Sequence, residues 1–319
     1  MNAWRPSASL EILRLRAAML ARAREFFAAR GILEVETPAL SAAAGTDPAI
    51  EPLSTAINGL EGRRYLGTSP EFAMKRLLAA GSGDIYQICR AFRDGERGRW
   101  HNPEFTIVEW YRLGHDDAAL MSETEDFLCA LLGVDAPARA ERLTYAAALE
   151  RHAGVDIWTA GDAQLAAAAA AHGIDCPAGL DRDARLDLLM ALVVGPRLGR
   201  GLPTFIVDYP ASQAGLARLK PGVPAVAARF ELYLDGLELA NGFHELTGDR
   251  EQRRRFLDDL AVRRARGQAE PCMDEHFLAA LAAGLPDCAG VALGFDRLVA
   301  VAAGAAGLGD VLAFPIERA

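Results

Sequence analysis

Phe92-Arg93-Asp94-Gly95-Glu96-Arg97-Gly98-Arg99-Trp100-His101-Asn102-Pro103-Glu104-Phe105 is the stretch on which the reading of this chain turns. On either side lie two runs rich in β-branched and aromatic residues, 85–92 and 105–113. Together they read as an antiparallel hairpin with a long, almost wholly polar tip. Long polar connections inside a compact domain are usually functional. Three arginines and a histidine close to Phe105 suit a triphosphate with a base attached. Guanidinium forks match phosphate oxygens in pairs, and the ring offers a stacking face. A solvated, salt-bridged turn is the competing reading.

Upstream, residues 10–30 carry Leu13, Ala17, Leu20 and Phe27 at helical spacing, with Gly31 placed to end the helix. A short strand through Ile32 and Val35 stops at Thr37-Pro38. Residues 64–67 are strand-like. Ser69-Pro70-Glu71 reads as a helix start, with Ser69 as N-cap and Pro70 at the first helical position. Downstream, residues of about 116–194 turn alanine-rich and helical and are expected to form a helical insertion. Strands resume at 204–208, 226–234 and 237–246, with Asp235-Gly236 as a hairpin turn between the last two. Residues 251–266 form a charged helix. The chain closes with a strand at 291–294, a helix from Phe295 and a last strand at 311–314. Because the strands come as hairpins, the expected class is α+β, a mainly antiparallel sheet flanked by helices. Neither of the common phosphate loops, GxGxxG or GxxxxGK[ST], is present.

At 319 residues the chain is one large domain, or one with an insertion. An apolar share of 51% and a charged share of 24% exclude disorder. A net charge of −9 argues against affinity built on a phosphate backbone, so no stable nucleic acid partner is expected. No run approaches the roughly 20 apolar residues that span a bilayer, and residues 1–10 lack a signal-peptide core. The five cysteines are scattered without zinc-like spacing, which reads as reduced thiols in a cytoplasmic protein.

Two further groups carry chemistry. Gly290-Val291-Ala292-Leu293-Gly294-Phe295-Asp296-Arg297 is a buried-type strand breaking into a helix, with Asp-Arg at the break. Gly294 lets a ligand approach the backbone, and Arg297 adds charge to an anion-favouring helix start. Glu109, Glu238 and Glu245 lie in apolar surroundings, with Tyr111 on the same strand face as Glu109. Buried carboxylates need cationic partners: an arginine, a metal or a ligand amine. Glutamates exposed on a sheet edge are the alternative. An odd spacing puts Glu238 and Glu245 on opposite faces of a regular strand, so a bulge at Asn241-Gly242 is expected to re-aim the second. Arg250, Arg253, Arg254, Arg255, Arg263, Arg264 and Arg266 cluster on one helix, either docking an acidic partner or forming a solvated face.

These pieces, in this order, resemble the three motifs of the class II aminoacyl-tRNA synthetases. Gly31-Ile32-Leu33-Glu34-Val35-Glu36-Thr37-Pro38 is similar to motif 1, the 92–106 hairpin to motif 2 and 290–297 to motif 3. Ser69-Pro70-Glu71, His101-Asn102-Pro103-Glu104-Phe105-Thr106 and Asn241-Gly242-Phe243 resemble the lysyl branch. Motif 1 begins near residue 31, so no anticodon-binding OB domain is expected, and residues 1–319 are expected to form a single catalytic domain. Pro210-Ala211-Ser212-Gln213-Ala214 and the 238–246 segment are similar to truncated lysyl paralogues that modify elongation factor P.

The resemblance implies ATP as co-substrate, Mg²⁺, (R)-β-lysine as the activated amino acid, elongation factor P as acceptor, and a homodimer. It also implies roles. Arg93 and Arg297 are the catalytic cations, Arg93 on the α-phosphate. Asp94, Gly95, Glu96, Asn102, Phe105, Leu239 and Gly294 line the nucleotide, with adenine between Phe105 and Arg297, and Glu238 holds Mg²⁺. Ser69, Pro70, Glu71, Glu109, Tyr111, Asn241, Glu245 and Ala292 line the amino-acid site. A lysyl-type ligase acting on a tRNA or a small amine is the alternative. Two positions depart from the pattern. Gly95 stands where the family has glutamate, with Glu96 next to it, and Ala292 stands where lysyl-tRNA synthetases have glycine. The added methyl is expected to favour a β-amine over an α-amine. Ala292→Gly is therefore expected to shift that preference by about 1–3 kcal/mol. Pyrophosphate exchange with both amino acids reads it, and an unchanged ratio contradicts the assignment.

Overall fold

The computed structural model describes residues 4–134, 139–177 and 179–319. Its elements follow from local signals. Ser9 accepts a hydrogen bond from the Ile12 N–H and starts α1 (Leu10–Ala28). Gly31, at φ +67°, ends it, with its N–H on the Ala28 carbonyl and the Ile32 N–H on that of Phe27. Next come β1 (Leu33–Glu34), β2 (Leu40–Ser41), β3 (Ser54–Ala56), β4 (Arg63–Leu66) and α2 (Glu71–Ala79). The hairpin is β5 (Ile85–Phe92) and β6 (Glu104–Leu113). After it run α3 (Asp117–Leu132), β7 (Glu141–Thr144), α4 (Tyr145–Ala153), α5 (Asp162–Ala171) and α6 (Arg182–Leu189). β8 (Thr204–Pro210), β9 (Leu219–Lys220), β10 (Val226–Leu234) and β11 (Leu237–His244) precede α7 (Asp249–Ala265) and α8 (Glu275–Gly284). The chain closes with β12 (Cys288–Gly294) and α9 (Phe295–Ala303).

Among the described residues, the main sheet runs β1-β5-β6-β12-β11-β10-β8-β7, with β9 on β10. Its interior pairings are antiparallel, and only the edge pairs β1/β5 and β7/β8 are parallel. This is the α+β sheet expected from the hairpins. Asp235 and Gly236 both take positive φ and make the tight β10–β11 turn.

Register then decides what each face carries. Val108, Trp110, Val291, Leu293, Ala240, Phe230 and Leu232 point to one side. They bury against Met19, Phe27, Phe127 and Leu298 of α1, α3 and α9. On the other side, α2, α7 and α8 cover one end through Met74, Phe256 and Phe277. There α4, α5 and α6 cover the far end through Leu149, Leu165 and Leu189. Between these covered ends crosses the row Gln87–Glu109–Ala292–Asn241–Glu231. The apolar periodicity fills most of one face, with Thr106 and Arg112 at its ends, and leaves the middle of the other for polar side chains.

Several local expectations are corrected. Residues 116–194 are not all helical: β7 joins the main sheet as an edge strand, and α3 belongs to the principal core. Residues 311–314 form no strand. Leu308–Asp310 is a short 3₁₀ turn, and the segment after it accepts hydrogen bonds from Ser7 and Ala8 near the other chain end. A bulge exists on β11, but at Leu239. Leu232 faces Ala240 while Tyr233 faces Glu238, leaving Leu239 without a partner on β10. Pro70, not Ser69, is the residue before α2 begins. The polar N-terminal reading falls partly on residues 1–3, which lie outside the described residues. Among the described residues no helix is long and apolar enough to cross a membrane.

Gly242 lies in regular register opposite Phe230. A Cβ there would sit 2.3 Å from the fully buried Phe230 ring. Gly242→Ala should therefore overpack the core and cost about 1–3 kcal/mol. Urea unfolding measures it, and an unchanged midpoint would show that Phe230 can step aside.

Candidate active site

The bulge at Leu239 resets the alternation of β11. Glu238 pairs with Tyr233, and Asn241 with Glu231, so Glu238, Asn241 and Glu245 fall on one face. Cross-strand register brings Phe105, Glu109 and Tyr111 of β6 to that same face. The floor between them is the β12 series Gly290, Ala292 and Gly294. Small residues are required here. A Cβ on Gly290 would lie 2.2 Å from the Tyr111 ring and 2.6 Å from Glu245 Oε1.

Three carboxylates meet at one end of this floor. The Tyr111 hydroxyl donates to Glu109 Oε1 at 2.6 Å, and the Ser69 hydroxyl donates to Oε2 at 2.7 Å. Ser69 also accepts from the Glu71 N–H at 3.0 Å, so one hydroxyl starts α2 and holds Glu109. Glu71 and Glu245 converge on the Lys75 ammonium, each at 2.6 Å. Burial, then the nearby Glu71 charge, pushes Glu109 up to about 7, against the pull of Tyr111, Ser69 and Lys75. Burial pushes Glu245 up to about 8, with Lys75 opposing. The two Glu245 oxygens are buried without a hydrogen bond of good geometry. A carboxylate left this way is one that a ligand amine would complete.

The hairpin tip lies at the other end. Arg93 rests 5.0 Å from the Phe105 ring centre and pairs with Glu96 at 3.3 Å. Gly95 takes φ +75°, a conformation that strains other residues, so the tip turns there and Glu96 reaches Arg93. Asp94 holds the turn, accepting from the Gly95 N–H at 2.8 Å. Arg297, in the first turn of α9, donates to the carbonyls of Trp100 and Glu238 and to His101 Nε2. Burial and Arg297 lower the pKa of His101, which favours the neutral imidazole that accepts this bond. Gly294 has room beside it, with Leu239 O and Arg297 Cδ both 3.8 Å from a Cβ there. The Asn102 amide is committed within the chain, donating to the Glu104 carbonyl and accepting from the Ile316 N–H.

The chemistry follows from this layout: two guanidinium groups and an aromatic ring at one end, and three carboxylates at the other, on one strip of sheet. It can hold a polyanion with a base beside a molecule with several amines. A family model for tRNA synthetases class II (D, K and N) matches residues 1–318. The chain belongs to this family. Two Salmonella proteins, from paratyphi B and schwarzengrund, each named elongation factor P–(R)-β-lysine ligase, are 50% identical to it. The matches cover 99% of this chain and 98% of theirs.

Three structural partners went unread in the sequence. Lys75 was visible only as one of two lysines in a chain that otherwise uses arginine. Arg16 bonds both Asp296 and the Thr106 hydroxyl at 2.6 Å, while the Thr106 N–H donates to Asp296. This ties α1, the hairpin and the start of α9 together. Arg263, fully buried, bonds the carbonyls of Thr46, Asp47, Ile50 and Ala269 and pairs with Glu51. It is therefore no part of an arginine surface. Its neighbours Arg253, Arg254, Arg264 and Arg266 pair with Glu275, Glu251, Glu270 and Asp181. These four arginines make a solvated, paired face, while Arg255 turns inward onto the carbonyls of Gly215 and Ala217.

The two hydrogen bonds on Glu109 set a measurable value. Followed by carboxyl ¹³C NMR, Glu109 should titrate near 7 in the native chain. In Ser69→Ala it should titrate higher, because a donor to the ionised form is lost. A midpoint in the ordinary carboxylate range would contradict this geometry.

Proposed function

We propose that this protein activates (R)-β-lysine with ATP and transfers it to the ε-amine of a lysine on elongation factor P. The observation that carries the reading is the cluster of buried Glu109 and Glu245 with the partly buried Glu71 on the strip that ends at Arg93 and Arg297. Each ammonium of a diamino acid leaves water on binding and needs a fixed opposite charge. The printed name of the relatives supplies the identity of the amino acid and the acceptor.

In the first step the substrate carboxylate attacks the α-phosphorus, the bond to pyrophosphate breaks, and an acyl-adenylate forms. A carboxylate is already ionised near neutral pH, so this step requires no general base. Arg93 and Arg297 hold the phosphates and stabilise the charge that builds on them. Phe105 and Arg297 flank adenine, with Asp94, Gly95 and Glu96 at its edge and Leu239 and Gly294 beneath. Asn102 contributes by holding the hairpin to the chain's C-terminal segment. Ser69, Pro70, Glu71, Glu109, Tyr111, Asn241, Glu245 and Ala292 line the amino-acid pocket. In the second step the acceptor ammonium loses a proton, the free amine attacks the acyl carbon, the bond to the phosphate oxygen breaks so that AMP leaves, and the amide forms with release of a second proton.

Among the described residues no group of three or more His, Cys, Asp or Glu side chains is arranged to hold a metal alone. That suits Mg²⁺, which is commonly held by one or two carboxylates together with substrate phosphates. Glu238 is the carboxylate we assign to it. When bound, the ion neutralises phosphate charge. We place the enzyme in the cytoplasm as a homodimer. Leu33, within motif 1, and Leu40, just after it, are exposed and offer apolar surface that a second copy would cover.

ATP–pyrophosphate exchange dependent on (R)-β-lysine, followed by a mass increase on elongation factor P, is the expected result. Arg93→Ala should lower the exchange by about 10²–10³-fold. No exchange with either lysine or β-lysine would sink the proposal, and charging of lysine tRNA without modification of the protein would support the tRNA alternative.

A further inference from the structure

Lys75 sits one helical turn after Glu71 on α2, with a side chain 1% exposed. Its ammonium contacts Glu71 Oε1 and Glu245 Oε2 at 2.6 Å each, and the Phe277 ring centre lies 5.8 Å away. Among the described residues, no other cation forms an ion pair with Glu71, Glu109 or Glu245. A buried ammonium is costly to maintain, and an apolar side chain would fill the same helix position without that cost. The cation therefore needs a reason to be there.

Charge supplies one. With Glu71, Glu109 and Glu245 all ionised, the one ammonium leaves the pocket with two negative charges. That number matches an amino acid bearing two ammonium groups whose own carboxylate is directed to the phosphate. The position of Lys75 adds to this. It occupies one oxygen of Glu71 and one of Glu245, which leaves Glu245 Oε1 for a ligand amine to meet. We propose that Lys75 is a positioning residue. Its ammonium pairs with Glu71 and Glu245 at once, and it sets the charge of the ionised pocket to the value that a two-ammonium amino acid neutralises. This rests on the amino-acid assignment proposed above.

The groups that face Lys75 come from every element around it. They are Glu71 on α2, Glu109 and Tyr111 on β6, Glu245 after β11, and Cys288 on β12, with the exposed Asp287–Arg218 pair beyond. Burial lowers the Lys75 pKa, but Glu245 and Glu71 outweigh it and raise it overall, so it stays charged. Glu109 and Glu245 have folded values near 7 and 8, above their ordinary range. Their contribution to stability is therefore full at acid pH and is lost as pH rises through those values. Removing Lys75 pushes both higher and deepens that loss.

The first arm of the test needs no substrate. The melting temperature of Lys75→Met should fall further below that of the native chain at about pH 8.5 than at about pH 5.5. An equal fall at both would overturn the proposal. If the single variant does not fold, Lys75→Met/Glu245→Gln should, because it removes the buried pair together; failure of both to fold would point to a packing role and overturn the proposal. The second arm is kinetic. At about pH 7, Lys75→Met should raise KM for (R)-β-lysine about tenfold or more, with KM for ATP unchanged, and raising the pH should restore part of the loss. A parallel rise in KM for ATP, or no recovery with pH, would overturn it. Native protein that shows no exchange would refute the substrate reading, while the melting arm would still decide the role of Lys75.

Discussion

Carboxylates buried side by side cannot all stay ionised unless something positive is placed among them, and the arrangement of this protein follows from that constraint. Glu71, Glu109 and Glu245 come from a helix, a central strand and the end of another strand. Lys75 and the hydroxyls of Ser69 and Tyr111 share the work of holding them. The floor under them has to be small, because Tyr111 and Glu245 occupy the space a side chain at position 290 would take. Burial raises the carboxyl pKa values, and the ion pair and hydrogen bonds draw them back toward neutrality, where a bound amine can complete the set.

Keeping such a site in the middle of a sheet requires a mainly apolar opposite face to anchor the strands. Trp110, Val108, Val291, Leu293, Phe230 and Leu232 supply that face, and α1, α3 and α9 seal it. The aromatic contacts Phe27–Tyr86 and Trp110–Phe127 lie directly behind the strands that carry the carboxylates. A rigid backing of this kind holds functional side chains to within fractions of an ångström, which loops alone do less well. The phosphate end is braced differently. Arg16 joins α1 to both Asp296 and Thr106, so the strand that leads out of the hairpin and the helix that presents Arg297 move as one piece.

The two departures from the family pattern differ in kind. Gly95 lies at a turn with φ +75°, and the neighbouring Glu96 pairs with Arg93. Ala292 leaves the path intact and adds only a methyl on the row between Glu109 and Asn241. The first alters how the tip is built, and the second the shape of the pocket wall.

How much of this was legible in the chain depends on the range of the interaction. The hairpin, the helix starts and stops, the Asp235-Gly236 turn and the three family motifs are set by neighbours within a few residues, and their residues announce them. The polar residues of the site could be named for the same reason. The sequence by itself therefore determined the class of fold, the family and most of the candidate site. Only the tertiary structure decided where the β11 bulge falls, because that depends on the register of β11 against β10. Only it decided that Arg263 is buried, that 116–194 lends a strand to the sheet, and that Lys75 stands among the carboxylates. Those facts depend on contacts between residues tens to hundreds of positions apart, and charge and shape at such distances are settled by packing, which no local pattern records.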